Sequence, residues 1–109
     1  MNTELKNKWV AALRSGDYAQ GQNFLCDGKS YCCLGVLVEI DKPDEFISDE
    51  SGFKFFGDEA AVLPDEYVRE VGLDDIITHK LMKMNDGTVG MRDDALSFSD
   101  IADWIEENL

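Results

Sequence analysis

Apolar residues recur every three to four positions at both ends of this chain, while in the middle they run together without interruption. Near the start, Leu5, Trp9, Ala12 and Leu13 make one stripe, which predicts a helix capped by Thr3 and running to about Arg14. Gly16 suits the left-handed position that ends it. At the other end, Phe98, Ile101, Ala102, Ile105 and Leu109 form an unbroken stripe, with Asp103, Glu106 and Glu107 on the wet side. Ser97 stands as the cap of this helix with Asp100 three residues on, and Leu96 and Ile101 are spaced for a hydrophobic staple. Two shorter helices precede it. Leu63-Pro64-Asp65-Glu66 opens one, with proline at its first position and acids in its first turn, and Gly72 followed by Leu73 closes it. Asp74 or Asp75 caps the next, whose stripe is Ile77, Leu81 and Met84, and Asn85-Asp86-Gly87 breaks it. Residues 88–96 read as a loop.

The central stretch runs from Phe24 to Ile40. Asp27-Gly28 between two short apolar runs is the mark of a two-residue type I′ turn, which predicts a hairpin of Gln22–Cys26 with Lys29–Tyr31. In that register Phe24 faces Tyr31 across the strands. Cys32 to Val38 is then apolar throughout, so this element has no exposed face and belongs at the centre of the core. A buried helix over Cys32–Ile40 is favoured over a continued strand, although Val36, Val38 and Ile40 suit a strand and Gly35 suits neither. Lys42-Pro43 ends it. Residues 41–62 are the least regular. Ser48–Gly52 reads as a turn, and Phe53–Phe56 and Ala60–Val62 as two short strands linked around Gly57-Asp58-Glu59. The expected architecture is α+β: a small, mostly helical single domain of four to five helices with one or two short β-hairpins.

Composition changes this picture little. The chain has 109 residues, one domain's worth, and is 44% apolar, enough for a core of its own. No apolar run approaches the ~18 residues of a membrane span, and the N-terminus lacks an apolar leader segment. Both point to a cytosolic protein without membrane contact. Three cysteines in a reducing compartment argue against disulfides.

Charge changes it more. The net charge is −13, unevenly placed. Residues 1–38 carry four basic and three acidic groups, and residues 39–75 three basic and thirteen acidic. A field of that sign repels nucleic acid and acidic membrane and attracts basic surfaces.

Candidate chemistry is sparse. Cys26, Cys32, Cys33 and His79 suffice by number for a zinc site, but gaps of five and zero residues between the cysteines are not those of a zinc knuckle. Small buried hydrophobes are the better reading of all three. No base is placed by sequence near a cysteine, and His79 reads as a surface residue. The calcium-loop and phosphate-loop patterns are both missing. No cofactor is therefore expected, and no residue is assigned a catalytic role. Trp9 and Trp104 read as core. Phe53, Phe55 and Phe56 cannot all face one side of a strand, so one is expected to be partly exposed unless a second element or a second chain covers it. That makes the segment a candidate partner or homodimer surface. With the neighbouring acids it defines the candidate interaction residues Asp44, Glu45, Asp49, Glu50, Phe53, Phe55, Phe56, Asp58 and Glu59.

The strings Lys8-Trp-Val-Ala-Ala-Leu-Arg-Ser-Gly16, Tyr18-x-Gln-Gly21, Tyr31-Cys-Cys-Leu-Gly-Val-Leu37, Leu63-Pro64 and Ser97-Phe-x-x-Ile-Ala-x-Trp-Ile-Glu106 resemble a family of small proteins from tailed bacteriophages. The outline spans nearly the whole chain, and the central Cys-Cys-Leu-Gly-Val-Leu string is its most specific part. The likeness departs at Val38-Glu39, where Cys-Asp is expected in relatives, which takes further weight from a metal site. It implies a setting, the cytoplasm of an infected bacterium, and carries no catalytic residues. The leading expectation is a non-enzymatic accessory protein whose acidic middle binds a basic host protein, as an inhibitor or a mimic of nucleic acid. The alternative is a protein that sequesters a small molecule such as a signalling nucleotide, for which Lys6, Lys8, Arg14 and Lys29 with Tyr18 and Tyr31 are the available groups. A hydrolase comes third, for want of a base and a nucleophile.

Overall fold

A computed structural model describes residues 1–87 and 95–109. The reading of 88–94 as loop lies outside the described residues. Among the described residues, five helices and one two-stranded antiparallel sheet make the α+β domain that the pattern predicts. Helix α1 is Thr3–Ser15, α2 is Cys33–Asp41, α3 is Asp65–Glu70, α4 is Asp75–Asp86 and α5 is Phe98–Asn108. Strands β1, Phe46–Ser48, and β2, Lys54–Phe56, follow α2 through a 3₁₀ turn at Pro43–Glu45.

The uninterrupted apolar run is a helix, and it sits in the middle. Cys33 to Val38 are all buried, with α1 packed on one side of α2 and α4 on another. Trp9, wholly enclosed, donates its Nε1–H to the Cys33 carbonyl at 2.9 Å and so ties α1 to the first turn of α2. Helix α5 lies against α1 and buries Phe98, Ile101, Ala102 and Ile105, the predicted stripe. Its cap is Ser97, whose Oγ accepts from the Asp100 amide. Gly16 ends α1 in the left-handed region as expected. Gly72 and Leu73 close α3 with the paired amides of a Schellman motif, to the carbonyls of Arg69 and Val68. Several helix boundaries differ from the prediction, among them the start of α2 at Cys33 with Cys32 as its cap. Asn2 rather than Thr3 caps α1, accepting from the Leu5 amide. Pro64 precedes α3 rather than opening it. Helix α4 runs through Asn85 to Asp86, because the Asn85 amide is used inside the fold.

The two predicted hairpins are both corrected. Asp27-Gly28 is not a type I′ turn, which needs positive φ at both residues, and only Gly28 has it. The Asp27 carboxylate instead accepts from the amides of Lys29 and Ser30, and Cys26 meets Tyr31 across a four-residue turn. Those amides hold the Asp27 carboxyl below its ordinary range. Phe24 therefore does not face Tyr31; its ring meets Phe53 edge to face at 5.0 Å. Tyr31 packs on Tyr18, and its hydroxyl donates to Glu39.

The second correction concerns the partner of β2. Phe46 pairs with Phe56, Ile47 with Phe55 and Ser48 with Lys54, so β2 belongs with 46–48 and not with Ala60–Val62. Phe46 and Phe56 both enter the core, which fixes the register. Beyond Phe56 the chain reverses at Gly57 and touches back only at Glu59. The outer side of β2 is taken by the central stretch, where the Lys54 amide donates to the Cys26 carbonyl and the Leu25 amide to that of Ala60.

Candidate functional site

Where β1 and β2 turn towards α3 they leave a groove of about 570 Å³. Its apolar surface comes from Ile47 and Phe55, neighbours across the ribbon, together with Phe56, Pro64 and Tyr67. Its rim carries Glu45, Glu66 and Glu70 against a single cation, Lys42. The floor is rigid for local reasons. Tyr67 and Val68 are the inward residues of α3, and the Tyr67 ring is set edge to face on Phe56 at 4.7 Å. Its hydroxyl donates to Asp41 Oδ2 at 2.7 Å, so the end of α2 and the start of α3 are joined under the groove. Burial, and then the Asp41 carboxylate, push the Tyr67 phenol well above its ordinary range. It stays protonated and a donor at any physiological pH.

Lys42 leaves the rim acidic in net. Its Nζ lies 3.3 Å from Glu70 and 3.9 Å from Glu45, contacts that raise its pKa, the Glu70 hydrogen bond foremost. It thus offsets one of three carboxylates. A shallower groove that shares Glu70 lies beyond, with Glu4 and Asp41 against Lys8. Ile47 is 58% exposed, a large apolar side chain held in water beside these acids.

Of the residues singled out in the sequence, Glu45, Phe55 and Phe56 line this groove and the other six do not. Asp44 is exposed on the 3₁₀ turn, and Asp49 and Glu50 are exposed at the turn of the ribbon. Asp49 is tied down by the Ser51 hydroxyl and amide, which lower its carboxyl. Phe53 is half-buried on Phe24, and Asp58 and Glu59 sit beyond β2. Of the three phenylalanines, Phe56 is the buried one, and Phe53 and Phe55 each keep part of the ring open. Ile47, Glu66, Tyr67 and Glu70 were missed. Ile47 lies in the irregular region, and the α3 residues read as ordinary helix until β1 is placed beside them.

The remaining candidates separate. Cys26, Cys32 and Cys33 are free, buried thiols, and His79 is exposed on α4. Burial pushes Cys32 up to about 11 and Cys33 well above its ordinary value. Cys32 Sγ caps α2 by accepting from the Gly35 amide, and Cys33 Sγ lies 3.6 Å from the Leu81 carbonyl. Among the described residues no group of three or more His, Cys, Asp or Glu is placed to hold a metal ion. Of the four cations considered for a nucleotide, three are engaged, Arg14 with Asp103 and Glu106, Lys8 with Glu4, and Lys6 with the Glu106 carbonyl, while Lys29 is exposed. Among the described residues no helix is long and apolar enough to cross a membrane.

Fold and groove together define a small α+β domain that carries an apolar surface cleft with an acidic rim. The chain belongs to the family described as a domain of unknown function, DUF8296, which matches it over residues 1–109. No curated protein and no solved structure matches it.

Proposed function

We propose that this protein acts by binding, and that its partner is a basic protein met at the acidic face around the groove. The observation that carries this is the pairing of an apolar surface, the exposed Ile47 and the half-buried Phe55, with the carboxylates Glu45, Glu66 and Glu70 in one cleft. Apolar contact supplies affinity, and the charge supplies steering and partner choice. The resemblance of the Tyr31–Leu37 string to tailed-phage proteins supports a phage-encoded accessory role in the cytoplasm of an infected bacterium, and an inhibitor or nucleic-acid mimic fits both size and charge. The chemistry of the cleft favours no bond-making step, so the protein is read as non-enzymatic.

The test is capture from bacterial lysate by the immobilised protein beside a Glu45→Lys/Glu66→Lys variant, with the retained proteins identified by mass spectrometry. Basic proteins should be held by the parent chain at low salt and released at roughly 0.5 M salt, where the Debye length is only a few ångströms. The charge-reversed variant should not hold them. Retention that ignores both salt and charge reversal would remove the reading.

A further inference from the structure

The backbone beside the groove narrows what can occupy it. In the β1–β2 ladder Ile47 pairs with Phe55, and the Asp49 amide donates to the Phe53 carbonyl, so residues 47 and 49 turn their backbone groups towards β2. Phe46 and Ser48 then turn theirs the other way. The Phe46 amide goes to the Pro43 carbonyl, and the alternation of the ladder turns the Phe46 carbonyl and the Ser48 amide and carbonyl to the outer edge. The outer side of β2 is occupied by Cys26 and Glu59, whereas among the described residues no strand pairs with the outer side of β1. An edge of this kind is a template for another strand.

We infer that the occupant is an extended segment of the basic partner, added as a third strand along β1, with one apolar side chain in the groove and Arg or Lys two residues to either side meeting the acidic rim. This rests on the binding reading above and names its ligand. In a strand, side chains two apart share a face, so a basic–apolar–basic pattern at alternate positions sets its apolar member against Ile47 and its cations against Glu45, Glu66 and Glu70. The groove, about 570 Å³, lies within the ~300–1,000 Å³ usual for ligand clefts and leaves room for a single large side chain and its flanks. A second copy of this chain is a poor occupant, since each copy carries −13 and would bring the same acidic rim to the contact.

The experiment is fluorescence anisotropy with a labelled peptide that alternates threonine with arginine and bears one central phenylalanine. Three comparators are needed: the same peptide with serine for phenylalanine, and two forms N-methylated at alternate amides in either phase. The phenylalanine peptide should bind at least about tenfold more tightly than the serine peptide. Ile47→Ser, at an exposed position that leaves the core intact, should remove that advantage, and Asp17→Asn, away from the groove, should not. One methylation phase should abolish binding and the other spare it. Equal, salt-sensitive binding of all the peptides would overturn the strand and groove assignment while leaving the acidic-surface reading in place. No binding of any basic peptide would remove both. Self-association of the free protein that Ile47→Ser abolishes would give the groove to a second copy and overturn the inference.

Discussion

Asn85 is a polar side chain with no exposure at all, and every hydrogen-bonding atom of its amide is used. Oδ1 accepts from the Cys33 amide and from Gln20 Nε2, both at 3.1 Å. Nδ2 donates to the Gly21 carbonyl at 2.8 Å and to Asp86 Oδ1 at 2.9 Å. One side chain thus satisfies the first amide of α2 and holds the Tyr18–Gly21 connector against α4. Asn85→Ala would leave the buried Cys33 amide and the part-buried Gly21 carbonyl without partners, each worth about 1–3 kcal/mol. A loss of roughly 3 kcal/mol is expected from urea unfolding, and Asn85→Asp, which turns a donor into an acceptor facing the Gly21 carbonyl, should be no milder. None of this was legible beforehand. Asn-Asp-Gly is a turn signature, and only the arrival of Gln20 and Cys33 from elsewhere makes a helical, buried asparagine the better solution. The cysteines were legible, because a thiol inside an apolar run needs no distant partner to be read as filling. Which of Phe53, Phe55 and Phe56 turns inward was not, because that depends on Phe46 opposite.

At the scale of elements, one close joint is between α2 and the segment at Leu25. A β-carbon on Gly35 would lie 1.8 Å from the Leu25 carbonyl oxygen, a backbone atom with no freedom to withdraw. The same carbonyl accepts from the Cys32 amide at 3.2 Å, so the segment is fixed where it crosses the helix. Gly35→Ala should therefore fail to give folded protein, or lower stability by more than about 3 kcal/mol despite alanine's better helix propensity, as read by circular dichroism melts. The sign is diagnostic: on an open helix face the same change would stabilise. The helices were readable because their period is local and their caps lie within a few residues. The sheet was not, because β1 is three residues long and its partner is chosen by packing across the core. The groove inherits that difficulty, since one wall is β1 and another is α3, which in sequence are separate elements.

For the whole molecule, buried acids of high pKa set an alkaline limit. Cys32 is raised from 9.0 to about 11 by burial, and Cys33, Tyr31 and Tyr67 are raised as well, burial being the first cause in each. Below the unfolded pKa both states hold the proton, and the stability is complete. Between the unfolded and folded values the unfolded chain releases it while the fold retains it, so stability falls with rising pH. Cys32 alone accounts for roughly 2–3 kcal/mol across that interval. Melting temperatures should decline steadily above about pH 9, and Cys32→Ala should show a shallower decline than the parent chain.

The enclosure of Trp9 has a practical corollary. Its indole is sealed beneath the first turn of α2, whereas Trp104 lies half-open under the Lys80 ammonium, 5.7 Å from the ring centroid. One indole is shut away from dissolved quenchers and the other is within their reach. The chain therefore contains its own optical gauge, in which acrylamide access to the protected fraction of the emission reports the opening of the α1–α2 joint without any label.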